Sequence, residues 1–199
     1  LISNAVKEAC RSVYRKSQRF RELQGMGTTS TVLLIHGQKA YVAHVGDSRA
    51  YLVREGRIMQ LSEDHSLVYE QLKAGLITEA QAKQSRFRNI ITRSVGFEEE
   101  VDVDMVAVDA QIGDAFVLCS DGLSGFVTDE EINHVVNENF LRQVPEILVD
   151  MANSRGGDDN ITAVIAYLAP SEGKDWATDE DLSPILGGAA YQLSRSTFD

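Results

Sequence analysis

Residues 29–61 read TSTVLLIHGQKAYVAHVGDSRAYLVREGRIMQL. The runs TSTVLLIH, KAYVAHV, RAYLVRE and RIMQL are rich in β-branched, aromatic and aliphatic residues, and each has the length of a strand. Gly37-Gln38 and Glu55-Gly56 supply tight hairpin turns between runs, so the stretch predicts an antiparallel meander. Upstream, apolar positions at Ile2, Val6, Ala9, Val13, Phe20 and Leu23 are spaced for a helix over 2–23, and Gly25 stops it. Downstream, 66–85 returns to helical spacing with a cap at Thr78. Strands resume at 101–108 and 115–120, joined by a turn at Gly113-Asp114. Helices follow over 128–137, where Thr128 and Glu131 form a capping box, and over 142–154. The segment 160–168 makes a last strand. Two groups of strands with helices before, between and after them predict an α+β layered sandwich in which two sheets meet.

Composition narrows the function. The chain has 199 residues, 43% of them hydrophobic, enough for one well-formed core. Its 19 basic and 30 acidic residues give a net charge of −11, which disfavours binding to nucleic acid. No apolar run approaches the roughly 20 residues that span a bilayer, so no membrane insertion is expected. Cys10 and Cys119 sit in apolar contexts and read as core residues of a reducing compartment, hence a cytoplasmic protein. Leu1 reads as the start of a piece of something longer. From residue 169 to 199 the chain turns acidic, Ser/Thr-rich and weakly periodic; it reads as a tail or linker, docked through Trp176 and Tyr191.

Four motifs carry the chemistry: GDSRA at 46–50, EDHS at 63–66, SDGLSG at 120–125 and GGDDNIT at 156–162. Several place an Asp at a strand end, where strand ends can share a cleft. Two carboxylates about 4 Å apart repel by roughly 4 kcal/mol at an effective dielectric near 20, and a divalent cation removes that penalty. The available ligands are oxygens, which favours Mg²⁺ or Mn²⁺ over structural zinc. Lys83, Arg86, Arg88 and Arg93 form a basic stretch in an acidic protein; it either guides an anionic ligand or is a solvated face.

GMGTTSTVLLI, VGDSRAYLV, EDHS, FVLCSDGLSGFVTDEEI and GGDDNITAVIAYL, in this order, resemble the metal-dependent serine/threonine protein phosphatases of type 2C, especially the compact bacterial forms. The resemblance covers 1–168 and implies a four-layer α-β-β-α sandwich of two antiparallel sheets flanked by helices. It implies a centre of two Mn²⁺ or Mg²⁺ ions with a weaker third, and an in-line attack of metal-bound water on phosphoserine or phosphothreonine in proteins. Substrates would be the phosphorylated products of serine/threonine kinases. Carried over by motif, Asp121 and Asp159 are metal ligands, and Asp47 joins Asp121 on the weaker ion. Gly122 permits the sharp turn, Thr28 and Thr29 line the strand beneath, and Asn160 follows the second ligand. Arg86 and Arg88, on a segment that matches a mobile flap, would contact substrate.

Each residue has a structural alternative. Asp121 could cap a helix, Asp159 could close an Asx turn, and Asp47 could pair with Arg49 or cap a turn. Asp64 and His65 read as structural. Asp102-Val103-Asp104-Met105-Val106 mimics the haloacid-dehalogenase signature, but alternation makes the two Asp residues a solvated strand edge. The family's phosphate-binding Arg and its DGxGGH motif have no counterpart here. The chain alone is therefore expected to be inactive or weakly active, and a non-catalytic pseudophosphatase or phosphoprotein-binding module is the alternative.

Overall fold

The computed structural model describes residues 1–169, so Trp176, Tyr191 and nearly all of the acidic tail lie outside the described residues. The strands are β1 (Ser30–His36), β2 (Lys39–Val45), β3 (Arg49–Arg54), β4 (Arg57–Gln60), β5 (Asp104–Asp109), β6 (Ala115–Cys119) and β7 (Ala163–Tyr167). They form two antiparallel sheets, β1-β2-β5 and β4-β3-β6-β7. The α-helices among the described residues are α1 (Ile2–Arg19), α2 (Leu67–Lys73), α3 (Glu79–Lys83), α4 (Asp121–Ser124), α5 (Asp129–Glu138) and α6 (Val144–Ser154).

Strand parity explains the layers. On β2, Ala40 and Val42 face the second sheet, whereas Ala43 and Val45 face α1. On β3, Ala50 and Leu52 face back across the same interface, and Tyr51 and Val53 face α5 and α6. Phe116 of β6, 1% exposed, fills the layer between the sheets, while Val117 and Cys119 point to the helices. A strand buried on both faces reads as an unbroken apolar run, which is how RAYLVR and AFVLC appear. The α+β, four-layer architecture expected from the sequence is therefore the one observed.

Several local readings need correction. The expected meander is two hairpins in different sheets: β1-β2 belongs to one, β3-β4 to the other, and Gly46-Asp47-Ser48 carries the chain across. Alternation along a strand does not report which sheet the next strand joins. The Gly113-Asp114 turn is likewise a crossing, since β5 pairs with β2 and β6 with β3 and β7. There the buried Asp114 carboxylate accepts from Arg54 Nε and Nη2 at 2.6 and 2.7 Å, and from the Gln111 N–H at 2.8 Å. Helix α1 ends at Arg19 because Phe20 turns extended, before Gly25 is reached. The 66–85 helix is two short ones, the second opened by a capping box of Thr78 and Gln81. The Thr128–Glu131 capping box forms as expected.

Asp104 is not a solvated edge residue: it meets Arg93 Nη1 at 2.6 Å and His65 Nε2 at 3.1 Å. No helix among the described residues is long and apolar enough to cross a membrane.

Candidate active site

The GDSRA, SDGLSG and GGDDNIT motifs lie at one end of the second sheet, where β3 begins, β6 stops and β7 begins. Arg49 pairs with Cys119 and Cys119 with Ala163, so Asp47 just before β3 stands by Asp121 just after β6. Gly46 makes this crossing possible. Its φ of +115° lies in glycine territory, and a Cβ there would come 2.4 Å from Thr29 Cγ2. Thr29 also meets Ser48 through its hydroxyl, Oγ1 to Oγ at 2.9 Å, while Thr28 bonds through its backbone to Val95.

Asp121 is the first residue of α4, and its Oδ1 accepts the Gly122 N–H at 2.9 Å. Gly122 packs against Asn160: a Cβ on it would lie 2.5 Å from the Asn160 carbonyl oxygen. Ser120, which sequence reasoning passed over, joins these two turns. Its hydroxyl donates to the Asn160 carbonyl at 3.1 Å and accepts the Thr162 N–H at 3.0 Å. The Asp before Asn160, Asp159, is exposed and accepts the N–H of the very next residue, Asn160, through Oδ1 at 2.7 Å, which is not the bond two residues on that an Asx turn would make.

The Asp47 carboxyl is pushed up to about 6, first by burial and then by the charge of Asp121. Arg49 does not neutralise it in a salt bridge. It turns instead to Asp64 of the EDHS motif, through Nε at 2.9 Å and Nη2 at 2.7 Å. The partners of EDHS were legible as structural, but not that they brace GDSRA. Arg86 and Arg88 are exposed; Arg86 stacks on Phe87 at 4.7 Å, and no ion pair joins either Arg to the carboxylates among the described residues.

The donor chemistry of Asp47 and Asp121 fits a hard divalent cation, since both ligands are oxygens and a half-buried carboxylate repelled by its neighbour is what such an ion relieves. The pair is a partial set, because Mg²⁺ takes about six oxygens. Among the described residues no three His, Cys, Asp or Glu side chains come together to hold a metal.

One consequence is measurable without a metal. The folded pKa of Asp47 exceeds its unfolded value, so between pH about 4 and 6 the folded state binds more protons and stability falls as pH rises. Asp47→Asn removes this penalty. Discounted for partial solvation, it should raise the unfolding free energy by about 1 kcal/mol at pH 7.5, with the charge-related gain absent at pH 4, in chelator-containing urea titrations.

The family model described as Protein phosphatase 2C matches residues 1–161 of this chain. The chain belongs to the protein phosphatase 2C family. Among relatives of this family, it is 35% identical over 165 residues to the serine/threonine phosphatase stp of Listeria monocytogenes, covering 82% of this chain and 66% of that protein. It is 43% identical over 146 residues to the protein phosphatase PhpP of Streptococcus pneumoniae, covering 73% and 59%. The chain thus spans less than two thirds of the length of these curated relatives. The crystal structure of the catalytic domain of the serine/threonine protein phosphatase PstP, in complex with two manganese ions, superposes with a TM-score of 0.78 at 32% identity, covering 85% of this chain and 70% of that one.

Proposed function

We propose that these residues form the catalytic region of a protein serine/threonine phosphatase that hydrolyses phosphoserine and phosphothreonine in proteins at a Mn²⁺ or Mg²⁺ centre. The observation that carries it is the approach of Asp47 to Asp121 where β3 and β6 run out, with Asp47 holding its proton up to about 6. Bound ions of this kind activate water and offset charge on phosphoryl oxygens. In this reading Asp47 and Asp121 are ligands on one side of the centre. Asp159 is a further ligand, held by the Ser120 bridge through Asn160 beside Gly122. Residues 1–168 are an incomplete part of the catalytic domain and 169–199 an acidic tail or linker. The cytoplasm is the compartment that suits two buried, unpaired cysteines, and signalling phosphoproteins made by serine/threonine kinases are the partners that suit the reaction.

The deciding experiment is release of phosphate from a phosphothreonine peptide by the full-length gene product carrying residues 1–199. Activity stopped by EDTA and restored by Mn²⁺ is the expected result; no Mn²⁺-dependent release overturns the proposal.

Arg86 and Arg88 are the substrate-contacting residues in the same reading, both exposed and without an acidic partner among the described residues. Exposed ion pairs are worth about 0.2–1 kcal/mol each, so replacing both by Ala should raise KM for a phosphopeptide about two- to thirtyfold. Hydrolysis of a small aryl phosphate should not change. An equal effect on both substrates contradicts the assignment.

A further inference from the structure

Gly46 sits at the centre of a buried set of hydrogen bonds that the carboxylate site does not use. Its N–H donates to His65 Nδ1 at 3.0 Å. Its carbonyl accepts the His65 backbone N–H at 2.8 Å and lies 2.9 Å from His44 Nε2. These partners fix both tautomers. A nitrogen that accepts an N–H carries no proton, so the His65 proton is on Nε2, facing Asp104 Oδ2 at 3.1 Å. A carbonyl only accepts, so His44 also carries its proton on Nε2, leaving Nδ1 to take the Thr31 hydroxyl at 3.0 Å. Arg93 holds the other oxygen of Asp104 at 2.6 Å.

The arrangement answers a local need. Gly46 is buried, has no side chain and sits at positive φ over Thr29, so nothing of its own fixes the peptide that leads into Asp47. A buried N–H without an acceptor is costly, and the acceptor here is an imidazole from 19 residues away in sequence. The imidazole is in turn oriented by a carboxylate that a guanidinium holds.

We propose that His65 is the positioning residue of Asp47: through Nδ1 it fixes the Gly46 peptide, and so sets where the Asp47 carboxylate stands opposite Asp121. The inference rests on the metal reading of Asp47 and deepens it. It also places Arg93, at the end of the basic stretch, in line with the carboxylates through Asp104 and His65, with no contact between Arg93 and the ligands themselves.

The test separates the two ring nitrogens. His65→Asn keeps an acceptor near the Nδ1 position and gives up the reach to Asp104; His65→Gln reaches Asp104 and offers nothing at Nδ1. Mn²⁺ affinity by calorimetry and exchange of the Gly46 amide by NMR are read on the full-length gene product carrying residues 1–199. Orienting groups around metal ligands typically contribute about 10- to 100-fold to affinity, so His65→Gln should weaken Mn²⁺ binding at least about tenfold and speed Gly46 exchange. His65→Asn should stay near the parent on both. Asp104→Ala, at a side chain 41% exposed, should fall between, and it carries the comparison if His65→Gln does not fold. Unchanged Gly46 exchange and equal Mn²⁺ affinity across the variants would overturn the proposal. A full-length parent protein that binds no Mn²⁺ overturns the metal reading instead, and the Gly46 amide then decides whether the imidazole positions the turn.

Discussion

Replacing Asp114 by Ala is expected to lower the unfolding free energy by about 3–5 kcal/mol, the range for breaking one side of a buried ion pair. Asp114 is 0% exposed and takes two hydrogen bonds from Arg54 and one from the Gln111 N–H. Its loss strands the guanidinium and the amide together, at the place where the chain passes from β5 to β6. Arg54 keeps the Asp109 carbonyl at 2.7 Å and its side chain is 29% exposed, so water can reach it and the effect should lie toward the lower end. Asp114→Asn preserves the shape and an acceptor and should lose less. Urea unfolding at unchanged m-value measures both, and a loss under about 1 kcal/mol for Asp114→Ala would contradict the account.

Asp121→Asn should act on activity and stability in opposite directions. A metal ion contributes several kcal/mol of transition-state stabilisation, so removing a ligand charge should lower Mn²⁺-dependent phosphate release by about two to three orders of magnitude. The same change removes a charge that raises the Asp47 pKa, so without metal the variant should be at least as stable as the parent at pH 7.5. Misfolding cannot produce that combination. Activity that falls together with stability would assign Asp121 to the fold instead, through its hold on the Gly122 N–H in the first turn of α4.

What was legible in the sequence followed from local patterns. Every strand run was found, because alternation and β-branched content act within a few residues, and the Thr78 and Thr128 caps were found for the same reason. The partition of strands between sheets was not, since Gly46-Asp47-Ser48 looks like a hairpin turn until β3 is seen to pair with β6. At the site, motif resemblance named Asp47 and Asp121, which the pairing of Arg49 with Cys119 brings to the same end of β3 and β6. Ser120, and the service of Asp64 and His65 to Arg49 and Gly46, stayed hidden. Such contacts join residues far apart in sequence, and a lone Ser or His in a turn carries no periodic signal.

The crossing at Gly46–Ser48 turns the carboxylate spacing into a gauge of how the two sheets sit on one another. Asp47 hangs from the stitch that joins them, whereas Asp121 opens α4 directly behind β6 of the second sheet. A small slide of one sheet over the other would change the distance between them with no change in the conformation of either turn. Leu52 and Phe116, packed in the interlayer, thereby gain mechanical leverage on charges they do not touch.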